Sequence, residues 1–200
     1  MDAQNKVDRY FLNRADEYGL RSELGLWRAW KENEFKSLLS LLPALQNRSV
    51  LEVGCGKGWY TKRLINFKPS LYVAVDRLCS MLEPVNKVFT IAGDLTHLPL
   101  KYSFDYILCF GALEFIKTPS SFFSQAEQLL KTNGKIIILL PRDNFFGQFY
   151  KLFHAFHGLS VHLFSDKTIK ELSLSNGLST VAAQKTMLFG KIITLEKHNG

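Results

Sequence analysis

Of 200 residues only three are cysteine and six proline, and no apolar run approaches the ~20 residues needed to span a bilayer. Cys55, Cys79 and Cys109 are odd in number and fall on or beside predicted strands and a glycine turn. They suit reduced thiols of a cytoplasmic protein rather than a disulfide framework. No Cys/His spacing matches a zinc site, so no metal is expected. The amino terminus, MDAQNKVDRYFLN, has early acids and no long apolar region, so no secretory signal is expected. Repeats, low-complexity tracts and linkers are absent too, and the length suits one domain with its own core. A basic run is also missing. The net charge of +7 is spread as eight Lys/Arg against seven acids in 1–48, ten against seven in 49–141, and seven against four in 142–200. A mildly basic solvated surface accounts for this better than a nucleic-acid patch, while anionic substrates and membrane surfaces stay open.

What the chain does have is a glycine turn at residues 50–60, VLEVGCGKGWY. Val50, Leu51 and Val53 flank Glu52 as in a buried strand, Gly54, Gly56 and Gly58 make a tight turn, and Trp59 opens an apolar helical segment. Glycine accepts positive φ and lets a ligand approach bare backbone, and the helix start offers unpaired N–H groups. A dinucleotide fingerprint needs its third glycine at position 59, where Trp59 would obstruct helix–strand packing. Further on, LYVAV (71–75) reads as a second buried strand ending in Asp76, a carboxylate placed to accept from ribose hydroxyls. Its structural alternative is a cap on the next helix.

E-V-G-C-G-K-G resembles the first motif of the class I S-adenosylmethionine-dependent methyltransferases. VDRLCSML, VFTIAGDLTHLPLKYSFDYILCFGALEFI and QLLKTNGKIIILLP resemble the same family's later segments, in order, over residues 50–141. The resemblance implies an α/β, Rossmann-like, seven-stranded, mostly parallel sheet with an antiparallel C-terminal strand and helices on both faces. It implies S-adenosylmethionine as cofactor. Gly54, Gly56 and Gly58 would approach its methionine part, with Glu52 near the amino group or ordering the turn. Asp76 would hold the ribose, and Arg77 or Leu78 would lie beside the adenine. Asp94 would accept from the adenine amino group beside Leu95, with a plain turn role as its alternative. Phe110 and Gly111 would flank the methionine and the reacting methyl. The chain departs from the family at Leu78, where serine is usual, at Phe115, where many relatives have histidine, and at Thr132-Asn133 before Gly134. Asp76 and Asp94 are 18 positions apart, so the helix between them must be short.

A single domain then divides into an N-terminal helical cover (1–48), a cofactor-binding core (49–141), an aromatic-rich cap or insertion (142–165) and a helix plus C-terminal hairpin (166–200). In the cover, Leu24, Trp27, Phe35, Leu38 and Leu42 approximate a helical stripe. Ser22 is its expected cap, Gly19 the break from an earlier helix, and Tyr10 or Tyr18 a residue able to reach the site. In 142–165, Phe145, Phe149, Leu152 and Phe156 recur at helical spacing, with Phe146, Tyr150 and Phe153 widening the face. A core-facing helix is the leading expectation, with a substrate cap and a peripheral membrane contact as the other readings. Ser165 should cap a helix over 166–175, and Gly190 should turn a hairpin.

The expected function is methyl transfer to an acceptor, foremost a hydrophobic or aromatic small molecule, with nucleic acid and protein acceptors open. A proton-bearing O- or N-acceptor would need a base. His97, His154, His157, His162 and Tyr150 qualify by composition only, so no catalytic residue is assigned. The alternatives are a non-catalytic methyltransferase-like module in a complex and a nicotinamide-dependent oxidoreductase, the latter disfavoured by Trp59. Oligomeric state is not readable.

Overall fold

Apolar residues alternate along the strands and both sets are buried, so the sheet must be covered on both faces. In β1 (Ser49–Val53), Leu51 and Val53 join one core layer and Val50 the other. In β2 (Leu71–Asp76), Val73 and Val75 face the first layer and Tyr72 and Ala74 the second. β4 (Phe104–Phe110) and β5 (Leu130–Pro141) repeat the pattern, with Ile107, Cys109, Ile136 and Ile138 opposed to Leu108, Phe110, Ile137 and Leu139. α4 (Pro119–Leu129) and α6 (Asp166–Leu174) cover the first face through Phe122, Phe123 and Ile169. α2 (Gly25–Leu39) and the four-residue α3 (Thr61–Leu64) cover the second through Leu38 and Leu64.

In this computed structural model the described residues are 3–22, 24–98, 100–186 and 189–197, with side chains described except at 3–4, 15–22 and 26–27. Among them seven strands form one sheet in the order β3-β2-β1-β4-β5-β7-β6, with β3 at Phe89–Ala92, β6 at Leu178–Lys185 and β7 at Gly190–Lys197. Pairs from β3 through β5 are parallel, and β7 is antiparallel to both β5 and β6. The expected architecture therefore holds, with β7 as the reversed strand. The chain leaves β1 toward β2 on one side and later enters β4 on the other. The resulting crevice beyond the carboxyl ends of β1 and β4 is where open α/β sheets hold ligands.

Several local expectations need correction. α1 (Ala3–Ser22) runs straight through Gly19, so the break before α2 lies beyond Ser22. The N-cap of α2 is Leu24, which makes no side-chain cap and is 65% exposed, outside the expected apolar stripe. The stripe is real at Leu38, which is fully buried, while Trp27 and Tyr18 lie outside the described side chains. After Asp76 there is only a 3₁₀ turn, Cys79–Met81, in place of a short helix. The turn expected at 132–134 is absorbed into β5 as an irregularity where Asn133, not glycine, takes the positive φ of 62°. Ser165 does cap α6, its Oγ accepting from the Thr168 N–H at 3.1 Å.

The largest correction concerns the aromatic-rich helix, α5 (Phe145–Phe156). Phe145 and Phe156 are 81% and 82% exposed, and Phe149, Leu152 and Phe153 are exposed as well. Only Gly147 of α5 is buried. Composition pointed to a core-facing stripe. The helix instead turns Gly147, Tyr150 and His154 toward the protein, because a Cβ at Gly147 would overlap the Arg142 carbonyl and because Tyr150 bonds to Glu114.

Candidate active site

The glycine turn leaves β1 with φ of 71°, 54° and 72° at Gly54, Gly56 and Gly58, the left-handed region that side chains avoid. Gly54 is constrained twice, since a Cβ there would overlap the Ala112 Cβ on the turn after β4. The two turns at the switch point therefore interlock. Asp76 secures this arrangement from β2, its Oδ2 accepting from the Gly56 N–H at 2.8 Å and its Oδ1 from the Leu78 N–H at 3.0 Å. Burial pushes the Asp76 pKa up, against the downward pull of those N–H groups. Beneath the turn, buried Glu52 accepts from Thr61 Oγ1 at 2.6 Å and Tyr72 OH at 2.7 Å. Burial raises its pKa to about 7, with these hydrogen bonds opposing the rise. Glu52 thus ties the start of α3 to β2 beneath the turn.

A cavity of about 410 Å³ opens on this turn. Of the residues expected to bind cofactor, Gly54, Gly56, Asp76 and Arg77 line it on one side, and Leu78, Leu95, Phe110 and Gly111 complete the set that does. Glu52, Gly58 and Asp94 are not among its lining residues. Asp94 makes the contacts of its turn reading. Its Oδ1 accepts from the Thr96 N–H and Oγ1 at 2.8 and 2.7 Å, and its Oδ2 from Arg77 at 2.8 Å. Burial works against its ionisation, but the Thr96 bonds and Arg77 outweigh it and hold the pKa below the ordinary value. Arg77 also reaches Asp8 of α1, Nε to Oδ2 at 3.1 Å, and so ties the amino-terminal helix to the rim.

Residues the sequence reading missed come mostly from the helices. Val7, Asp8 and Phe11 of α1 line the cavity, whereas Tyr10 packs on His154 and His157. Lys31 of α2 is 9% exposed, lines the cavity, and holds its Nζ 5.1 Å from the Trp59 ring centroid and 5.7 Å from that of Tyr60. Its spacing with Glu34, Phe35 and Leu38 on one helical face was the available signal.

Beyond Gly111 the cavity is walled by Ala112, Phe115 and Ile116, with the Phe11 ring 5.4 Å from that of Phe115. Glu114 lies against this end, its Oε1 3.9 Å from where a Gly111 Cβ would stand. It is 2% exposed, and its Oε2 has no hydrogen-bond partner among the described residues. Burial raises its pKa to about 8, the nearby Glu34 charge adding and the Tyr150 bond subtracting. Glu34 is itself raised to about 7 by burial, with Lys31 opposing. His154 is held neutral, burial and His157 lowering its pKa to about 4. Packed among Tyr10, Tyr150 and Phe115, it does not line the cavity.

Residues 51–138, spanning the glycine turn and both walls of the crevice, match the Methyltransf_11 family, a methyltransferase domain. Over that stretch, a little under half of its length, the chain is similar to a methyltransferase domain. The chain is 26% identical over 122 residues to a tRNA U34 carboxymethyltransferase of Pseudoalteromonas atlantica, a match covering 56% of this chain and 37% of that one. It thus spans little more than a third of that relative's length. Its fold is shared by the magnesium protoporphyrin IX methyltransferase ChlM of Synechocystis, solved with bound SAH, at TM-score 0.76 and 17% identity over 96% of this chain and 98% of that one. A SAM-dependent methyltransferase from Thermotoga maritima aligns at TM-score 0.74 and 21% identity, covering 98% and 100%. The matched family is a methyltransferase domain, which favours that reading over the nicotinamide alternative. Among the described residues no helix is long and apolar enough to cross a membrane.

Proposed function

We propose that this protein is a methyltransferase that transfers the methyl group of S-adenosylmethionine to a hydrophobic or aromatic small molecule. The observation that supports the acceptor class is the end of the cavity beyond Gly111, which is walled by Phe11, Phe115 and Ile116. The cofactor supplies an electrophilic methyl on a sulfonium, so the protein's task is to position the acceptor and exclude water. Gly54 and Gly56 offer bare backbone to the methionine part, with Gly58 shaping the turn behind them. Asp76 holds the ribose, since each carboxylate oxygen has spent one lone pair on a backbone N–H and keeps another. Leu78 and Leu95 contact the adenine, while Arg77 and Asp94 brace its edge. Phe110 and Gly111 border the methyl.

The fit of the residues to the cofactor rests on three left-handed glycines and a doubly anchored carboxylate at one cavity. Calorimetric titration with S-adenosylmethionine, S-adenosylhomocysteine and NAD tests the cofactor, the first two being expected to bind and NAD not. Labelled S-adenosylmethionine with a panel of hydrophobic phenols, amines and carboxylates, and separately with total tRNA, tests the acceptor. A second reading, a tRNA acceptor, is favoured by the curated relative's activity, and label found only in tRNA would establish it over the first.

A further inference from the structure

We propose that α5 is a docking surface for an anionic lipid bilayer. The helix has its apolar face turned the wrong way for a globular protein. Positions 145, 149, 152 and 156 form one line, flanked by 146 and 153, and all six are Phe or Leu exposed to solvent. The face toward the protein is instead Gly147, Tyr150 and His154. The helix is fixed in this attitude. Asn144 Oδ1 caps it by accepting from the Gly147 N–H at 2.9 Å, and Gly147 abuts the Arg142 carbonyl, where no larger side chain fits. Rolling the phenylalanines inward would break the Gly147–Arg142 contact and the Tyr150–Glu114 bond.

The apolar surface continues off the helix. The ring of Phe146 lies 5.3 Å from Phe189 in the β6–β7 turn, and Phe189 lies 5.5 Å from Trp30 of α2. Its surroundings are cationic. Lys151 is exposed on the helix itself, Arg142 stands three residues before its first residue, and exposed Lys185 ends β6 close enough to act with Arg142 on Asp166. At the other end, Arg14 stacks 4.7 Å over Tyr10, whose ring contacts His157 at the helix terminus. The opposing acids are Asp143, which accepts from Gln148 Nε2, and Asp166, which is paired with Lys191 at 2.6 Å. An aromatic face rimmed by Lys and Arg on a protein of net charge +7 complements the acyl boundary and headgroups of an anionic bilayer. The proposal does not depend on which acceptor is methylated.

Co-sedimentation of the full chain with phosphatidylcholine vesicles, with and without phosphatidylglycerol, tests this. Binding is expected to the mixed vesicles, at least tenfold weaker to neutral ones, and to fall as salt rises. The variant F149E/F156E should lose vesicle binding at least tenfold with an unchanged melting temperature, because both side chains are exposed. K151E should weaken it less. Failure to bind mixed vesicles, or binding that F149E/F156E leaves intact, overturns the proposal. So does a concentration-dependent dimer in light scattering that the variant dissolves in the absence of vesicle binding, which would assign the face to a second copy of the chain.

Discussion

Replacing Glu114 by glutamine should change how this protein's stability depends on pH. The side chain is buried, its Oε2 lacks a partner among the described residues, and burial lifts its pKa from 4.5 to about 8. Between those values the folded chain keeps a proton that the unfolded chain releases, so this stabilising contribution is complete below pH 4.5 and is lost as pH rises through about 8. From pH 5 to pH 8, three units at 1.36 kcal/mol each give a loss of about 4 kcal/mol. At 2–4 °C per kcal/mol for a chain of this size, the melting temperature should fall by roughly 10 °C from this residue alone. Glutamine has the same shape, keeps an acceptor for Tyr150 and does not ionise. Glu34 and Glu52, both raised to about 7, leave the variant with some slope of the same sign. Melting curves followed by circular dichroism at pH 5, 7 and 9 make the comparison. The variant should be the more stable of the two at pH 9. Parallel curves for the two proteins would refute the account of Glu114 as a buried, proton-retaining acid.

Asp76→Ala should weaken S-adenosylmethionine binding by about 1–3 kcal/mol in calorimetry, through lost ribose hydrogen bonds and a loosened Gly56; unchanged affinity in a folded variant would remove Asp76 from the site. His154 behaves oppositely to Glu114, because its pKa is lowered, to about 4. Stability from its neutral form is present above pH 6.5 and disappears as pH falls through about 4, so wild type should lose more stability than His154→Gln between pH 7 and pH 4, as melting curves would show.

Much of the fold could be read from residues whose constraints are local. The two-sided apolar runs at 50–53, 71–75 and 136–140 require a doubly covered sheet, and they form one. Ser165 and Gly190 mark a helix start and a hairpin because caps and turns depend on a few neighbouring residues. The glycine turn and Asp76 meet as anticipated, since strand ends in a parallel pair are brought together by register, with Val53 beside Val75. What escaped was set by tertiary packing. The spacing of α5 gives a helix but not its orientation, which Gly147 and the Arg142 carbonyl decide. Lys31, Glu34 and Glu114 look like ordinary surface charges in the sequence, yet converge behind the cavity from α2 and the turn after β4. Asp94 has the chemistry for two roles, and its bond from Thr96 two positions on was not marked out by the sequence.

The overlap that a Cβ at Gly54 would make with Ala112 has an implication for how this site can vary. These two positions, 58 apart in the chain, form an epistatic pair. Gly54→Ala should be far less damaging in an Ala112→Gly background, although the φ of 71° keeps part of the cost in place. A double-mutant cycle would separate the steric share from the backbone share. Laboratory evolution that enlarges position 112 to reshape the acceptor end must therefore move the cofactor turn as well, so selectivity for the acceptor and affinity for the cofactor are not independently adjustable from that residue.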